Sequence, residues 1–351
     1  MELGLIGLPR AGKTTLFGAL TGLAFDVAAA RQSHTAVVKV PDPRIDRLSG
    51  MFRPRKTTLA EVTFVDPAGE RHESGAERVA FPETMAAALR DVDALVHVVR
   101  AFQDPSVPAA PGSSGPAGDV EAIEQELVLR DLTLVERRLE RLRKERKPEN
   151  AAEQALLEPA FAHLDAARPL RELPWGDEQW GRLRGFQFLS SKPALVVLNI
   201  GEEDLARPDA GVPAGLERFQ VLRLCAKVER EIAELGPEDQ REFLAQMGLE
   251  HPARDVFIRA AYDLLRLVSF FTVGDDEVRA WPVPDGASAW VAAGKIHSDI
   301  QRGFIRAEAI HYEDFVRCGS MAAAKTQGLL RLEGKEYRVR DGDILHFRFS
   351  V

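Results

Sequence analysis

The sequence predicts an α/β protein whose sheet is interrupted by a helical arm and followed by a smaller α+β domain. Three observations carry that reading. Short apolar runs alternate with helical stretches, one long apolar seam breaks into them, and short strands with tight turns take over from about Phe271. With 351 residues, 45% of them hydrophobic, the chain has room for two or three domains with a substantial core.

The first run, Leu3-Gly4-Leu5-Ile6, suits a buried parallel strand. Gly7-Leu8-Pro9-Arg10-Ala11-Gly12-Lys13-Thr14 follows it and fits the phosphate-binding template G-x-x-x-x-G-K-[ST]. The two glycines let successive N–H groups converge on phosphates without a side chain in the way. Lys13 is placed to reach the β- and γ-phosphates, and the Thr14 hydroxyl to ligate Mg²⁺. Leu16, Phe17 and Leu20 have helical spacing, so Leu8 to Thr15 wrap a helix N-terminus that favours anions.

The next strand expected is Thr58–Val65, running into Asp66-Pro67-Ala68-Gly69. This D-x-x-G carries a second Mg²⁺ contact at Asp66 and a γ-phosphate sensor at Gly69; as four residues alone it is also an ordinary Asp-Pro turn. Ala94–Val99 and Ala194–Leu198 are nearly continuous apolar runs that complete a parallel sheet, and Asp104–Gly118 reads as a flexible Pro/Gly/Ser loop. Between the last two strands, Val128, Leu132, Val135, Leu139 and Leu142 form one seam of a long helix. Leu157, Phe161 and Leu164 mark a second helix folding back on it, with the turn at Pro148 and Asn150. The stretch Arg137–Lys147 holds seven basic and two acidic residues, and is either a contact for RNA phosphates or a solvated face with Glu–Arg pairs. The last part carries a short helix around Ala289–His297 and turn signals at Glu333-Gly334-Lys335 and Asp341-Gly342-Asp343.

Base recognition in GTPases reads N-K-x-D after a late strand. Here the stretch is Asn199-Ile200-Gly201-Glu202, with the Lys lost and the Asp lengthened, which points away from strict guanine specificity. Cys225-Ala226-Lys227 stands in the place of a base-supporting S-A-K loop, although Cys225 is equally a small buried hydrophobe.

Composition narrows the remaining classes. Two cysteines give neither a disulfide framework nor zinc spacing, so a reducing cytoplasm is the expected compartment. No apolar run approaches a membrane span, and strand residues begin directly after Met1, where a signal peptide would stand. A formal net charge of −8 argues against broad nucleic-acid binding while leaving room for a local basic patch.

With these residues assembled, the chain resembles the YchF subfamily of Obg-like P-loop ATPases over nearly its whole length. The resemblance rests on Gly7–Thr15, Val40-Pro41-Asp42-Pro43-Arg44, Asp91–Phe102, Glu126–Leu142, Asn199 with Glu202, Ser269–Trp281, Ala292–Glu308 and Asp341–Phe349. It implies a Ras-like P-loop NTPase domain (1–118 and 191–270), an inserted antiparallel coiled-coil arm (119–190) and a C-terminal TGS domain of ubiquitin-like β-grasp form (271–351). It also implies ATP preferred over GTP, Mg²⁺ as cofactor, slow hydrolysis used as a switch, and association with the ribosome or a subunit; a monomer is the default.

Departures from the family pattern bear on catalysis. The family usually has Asn where this chain has Arg10, and in related proteins that Asn helps bind K⁺. Arg10 is therefore either a fixed charge in place of the ion or a solvent-facing side chain. Ala30 stands where the family carries its Mg²⁺-binding Thr, with Ser33 and Thr35 nearby. Glu70 occupies the place of the water-positioning residue, with His72 as a second candidate. The switches are thus altered while the phosphate loop is intact. The expected function is a slow ATPase switch acting through Lys13 and Glu70; the alternatives are a hydrolysis-deficient nucleotide-binding scaffold and a GTP-binding protein.

Overall fold

The computed structural model describes residues 1–22, 33–68, 81–145, 147–205, 207, 211–249 and 251–350. In chain order the first elements are β1 (Glu2–Ile6), α1 (Lys13–Thr21), β2 (His34–Lys39), α2 (Pro43–Phe52), β3 (Lys56–Thr58), β4 (Glu61–Asp66), α3 (Glu83–Arg90), β5 (Ala94–Ala101) and α4 (Pro116–Glu145). Then come α5 (Ala151–Asp165), α6 (Asp177–Leu183), β6 (Ala194–Ile200), β7 (Gln220–Leu224), α7 (Ala226–Glu234), α8 (Pro237–Gln246) and α9 (Ala253–Leu264). The C-terminal elements are β8 (Leu267–Thr272), β9 (Glu277–Pro284), α10 (Ala289–Ile296), α11 (Ser298–Arg302), β10 (Phe304–His311), α12 (Tyr312–Cys318), α13 (Met321–Thr326), β11 (Arg331–Glu333) and β12 (Asp343–Phe349).

The chain forms two compact units. The first comprises Met1–Ala36 and Thr63–Arg254; the second comprises Val37–Val62 and Asp255–Val351. A sheet of order β2-β4-β1-β5-β6-β7 runs through the first, with β1 parallel to β4 and β5, and β6 parallel to β5 and β7. Its central strands are apolar along their length because both faces are covered. Met85, Leu89, Ile123 and Leu127 pack with Ile6, Val65 and Leu95 of the sheet, and Val228, Ile232 and Leu244 with Val99, Val196 and Leu198.

The arm leaves this sheet through α4, which starts at Pro116 and so takes the end of the segment expected to be loop. Proline suits the first turn, where its missing N–H costs nothing. Val128, Val135, Leu139 and Leu142 are buried against Leu157, Ala160 and Leu164 of α5, with a turn of 3₁₀-helix at Pro148–Asn150. The basic stretch is stitched by Glu–Arg pairs: Arg138 makes two 2.7 Å hydrogen bonds to Glu153, and Arg141 one of 2.8 Å to Glu145. These pairs favour the solvated-face reading for that part of the arm.

A single strand over Thr58–Val65 was the sequence expectation. The structure divides it: β3 pairs with β9 in the second unit, and β4 pairs with β1 in the first. Thr58 marks the break, its hydroxyl donating to Glu277 at 2.6 Å.

In the second unit the sheet order is β11-β10-β12-β8-β9-β3, and α10 lies on one face through Ala289, Ala292 and Ala293 against Phe270, Ala307 and Phe347. A helix across a mixed sheet of this order is the β-grasp arrangement expected of a TGS domain. Val37–Val62 packs with it. Arg44 bonds Asp42 at 2.8 Å and Asp341 at 2.6 Å while its guanidinium lies 5.2 Å from the Phe271 ring centre, and Phe52 stacks on Phe315. Burial alone would raise the Asp341 carboxyl, but hydrogen bonds from Arg44 and the Ser269 N–H hold it below the usual range.

Asp131 fastens the root of the arm. It is 3% exposed and accepts hydrogen bonds from the Leu189 N–H (3.0 Å), the Ser190 N–H (2.7 Å) and the Ser190 hydroxyl (2.6 Å). Burial outweighs these bonds and pushes its carboxyl up to about 6. The unfolded chain releases the same proton near 3.8, so this contribution to stability is fully present below pH 3.8 and is lost as pH rises through 6. A carboxyl-carbon NMR titration of Asp131 should show a midpoint near 6; a midpoint at or below 3.8 would contradict the burial argument.

Candidate functional site

The site lies where β1, β4, β5 and β6 end, the edge at which open parallel sheets take ligands. After Ile6 the chain turns at Gly7 with φ 142°, and a Cβ there would stand 2.2 Å from the Val98 carbonyl oxygen on β5. At Gly12 φ is 96°, and a Cβ would stand 2.2 Å from Nδ2 of Asn199. Both positions exclude any side chain. Arg10 also adopts a left-handed conformation, with φ 65°, and its guanidinium donates to the Pro108 carbonyl at 3.3 Å. Leu8 and Ala11 are buried and Pro9 is exposed.

Lys13 opens α1 and folds back so that its ammonium donates to the carbonyls of Gly7 (2.8 Å) and Leu8 (3.1 Å). Burial lowers its pKa, opposed by the charge of Asp66. Asp66 is 3% exposed; burial raises its pKa, while Lys13 and a 3.0 Å hydrogen bond from the Thr14 hydroxyl pull it down. A hydroxyl and a carboxylate meeting in this way are hard oxygen donors of the kind Mg²⁺ takes. Ser33 Oγ accepts from the Ala68 N–H at 3.1 Å, which places this hydroxyl beside the D-x-x-G segment. Ala30, Gly69, Glu70 and His72 lie outside the described residues.

Asn199, at the end of β6, is 5% exposed. Its Nδ2 donates to the Ala11 carbonyl at 2.9 Å, and its Oδ1 accepts from the Ala226 N–H at 3.0 Å. The side chain thus joins the phosphate loop to the Cys225-Ala226-Lys227 loop. Ile200 belongs to the apolar cluster with Val228 and Ile232, where a lysine's charge would be desolvated. Glu202 accepts from Lys227 Nζ at 2.5 Å, a bond that raises the Lys227 pKa. Cys225 is buried, and burial pushes its thiol up.

These groups frame a cleft of about 770 Å³ that brings together Arg10, Gly12, Thr15, Asn199, Glu202 and Lys227. Phe102, Gln103, Asp104, Val107 and Arg230, none of which the sequence reading chose, line it too. Phe102 follows directly on β5, and an aromatic residue just past an apolar strand was the available signal. The Arg100 guanidinium lies 4.1 Å from the centre of its ring. The start of the Pro/Gly/Ser segment is therefore a wall of the cleft, shaped by a turn in which Asp104 accepts from the Ser106 N–H and hydroxyl. His97 was also missed. It is 2% exposed, neither ring nitrogen has a hydrogen-bond partner among the described residues, and burial together with the charges of Lys13 and Arg171 lowers its pKa to about 3. It is a neutral imidazole beneath Gly7. Among the described residues no group of three or more His, Cys, Asp or Glu side chains is arranged to hold a metal by itself.

Residues 267–350 match a family model described as YchF-GTPase_C, a protein of unknown function (DUF933). The ribosome-binding ATPase YchF of Bacillus subtilis (strain 168) is 38% identical over 365 residues, covering 100% of both chains. The ribosome-binding ATPase YchF of Escherichia coli O157:H7 is 38% identical over 361 residues, covering 100% of this chain and 99% of the relative. The solved structure of the Schizosaccharomyces pombe YchF GTPase superposes with a TM-score of 0.87 at 28% identity, covering 99% of this chain and 97% of that one.

Asn199→Ala removes both hydrogen bonds that hold the two loops together. At about 1–3 kcal/mol for a buried group left unpaired, nucleoside-triphosphate affinity should fall roughly 10- to 100-fold by calorimetric titration. Affinity within twofold of wild type would show that the loop holds its shape without this side chain.

Proposed function

The chain belongs to the YchF family of P-loop proteins, and on that premise we propose that it binds ATP with Mg²⁺, prefers it to GTP, and hydrolyses it slowly. Association with the ribosome or one of its subunits is the proposed output, in keeping with the names of its relatives. The observation that carries the reading is the meeting of Lys13, Thr14 and Asp66 next to Gly12 and Thr15, which line a cleft of about 770 Å³.

Thr14 and Asp66 are the residues that would hold Mg²⁺, which supplies charge neutralisation and orientation at the phosphates when bound. Lys13 already faces the loop, and its donors transfer from the carbonyls of Gly7 and Leu8 to phosphate oxygens without a change of backbone. Two features support adenine over guanine. Ile200 replaces the lysine of the guanine-reading pattern, and the Glu202 carboxylate is engaged by Lys227. Phe102 offers a ring face to the base.

Arg10 lines the same cleft from the phosphate loop, a position from which a fixed positive charge acts where related proteins place K⁺. Glu70 is proposed as the group that positions the attacking water. The proposed domains are 1–118 with 191–270 for nucleotide, 119–190 for the arm, and 271–351 for the TGS domain. No helix among the described residues is long and apolar enough to cross a membrane, and the reading takes the protein to be a cytoplasmic monomer. The second reading, a nucleotide-binding scaffold without hydrolysis, is favoured by Ala30 and Glu70 in the two switches.

Single-turnover phosphate release, with protein in excess over labelled ATP or GTP, separates the readings. Release from ATP faster than from GTP, abolished in Lys13→Ala and equal in K⁺ and Na⁺, is the expected result. Tight ATP binding without release selects the scaffold, and a strict K⁺ requirement overturns the role given to Arg10.

A further inference from the structure

Away from the nucleotide cleft, the base of the arm carries a groove between α3 and α4 that the proposed activity does not use. Its volume is about 420 Å³, and Ala86 and Leu189 lie along it. Its rim is apolar and open: Leu129 is 54% exposed and Leu134 39%, although Val128 and Val135 beside them on α4 are buried in the arm. Phe186 lines it as well, its ring stacked on Phe188 with centroids 5.1 Å apart.

Arginines outnumber carboxylates along the groove. Arg90, Arg130 and Arg137 line it with two carboxylates, and Asp131 is buried with its oxygens taken up by residues 189 and 190. That leaves Glu83, which Arg90 (3.0 Å) and Arg130 (2.7 Å) share, and Arg130 also lies 3.6 Å from Glu126. Arg137 has no ion pair among the described residues. The groove continues, through Arg90 and Gln187, into a trench of about 830 Å³ that adds Trp180 and a balanced set of charges, Arg184 and Lys192 with Asp91 and Asp93. A leucine-rimmed groove with more arginines than carboxylates is thus set into a chain whose formal net charge is −8.

We propose that the α3–α4 groove is the docking site for an acidic amphipathic helix of a protein partner. Apolar side chains of that helix, at i, i+3 or i+4, seat between Leu129, Leu134 and Phe186, and its carboxylates meet Arg137 and Arg90. RNA fits less well. Its phosphates match the arginines, but the exposed leucines have nothing to meet, and the Phe186 ring is already stacked. The wall of the groove is preset: Arg130 donates to the Phe81 carbonyl and lies over the Phe81 ring, fixing the entry to α3. The inference does not depend on which nucleotide binds or whether it is hydrolysed.

Panning a random 15-residue peptide display library on the full-length chain at about 0.1 M salt, where charge pairs still count, tests it. The best peptide and a labelled single-stranded RNA are then titrated by fluorescence anisotropy against wild type, Leu134→Asp and Arg137→Glu. Acidic peptides with apolar residues at helical spacing should be enriched, and each substitution should weaken them about tenfold or more with nucleotide binding unchanged. If Leu134→Asp does not fold, Arg137→Glu carries the test. Basic, neutral or no enriched peptides, or peptides that bind the variants as tightly, overturn the proposal. So does RNA binding that needs Arg137 while acidic peptides fail.

Discussion

One amide side chain holds the nucleotide cleft together. Asn199 lies at the end of a central strand, and its donor and acceptor reach two different loops, those of Ala11 and Ala226. The phosphate loop carries left-handed or glycine-only conformations at Gly7, Arg10 and Gly12, and such a backbone persists only where its surroundings over-determine it. Asn199 supplies that determination from one side, and the Lys13 ammonium, bonded to the Gly7 and Leu8 carbonyls, supplies it from within. The two constraints interlock at Gly12, where the approach of Asn199 leaves no room for a Cβ. Glycine at this position therefore answers to the packing of a distant strand as much as to the turn itself.

The parts of this site that could be read from the sequence are those whose residue types are dictated locally. A glycine forced by φ, a lysine after it and a strand before it form a contiguous pattern, and so does a helical seam such as Val128 to Leu142. What escaped was set by tertiary approach. Phe102 and Val107 join the cleft because Arg10 meets the segment at Pro108 and Arg100 sits on the Phe102 ring, contacts that composition presents only as a Pro/Gly/Ser loop. His97 is hidden for the same reason: within an apolar strand its neutral, unpaired state follows from burial beneath the phosphate loop. The break at Thr58 escaped because Thr58–Val65 reads as one run of strand formers, and only the partner strands, β9 and β1, divide it.

Electrostatics plays different parts in the two units. Around Lys13 and Asp66, burial pushes each pKa toward neutrality and their mutual attraction opposes it, so the pair is sensitive to any added charge. Around Arg44 the reverse holds: two carboxylates, a backbone N–H and an aromatic face saturate the guanidinium and its partners, and the result is a fixed joint. The same chemical groups thus give a responsive site in one place and a fastener in the other. The difference lies in how completely the hydrogen bonds are satisfied.

The second unit is assembled from two stretches of chain that leave the ribosome at very different times. Thr58 finds its hydrogen-bond partner Glu277 219 residues later, and Arg44 finds Asp341 297 residues later. At about 5–20 residues per second, the early stretch waits on the order of 10–40 s before its first strand partner has been synthesised. During that interval Ile45 and Leu48, fully buried in the finished protein, have no sheet to cover them. The nascent chain therefore exposes an amphipathic helix for tens of seconds, a natural client for whatever chaperones attend the exit tunnel.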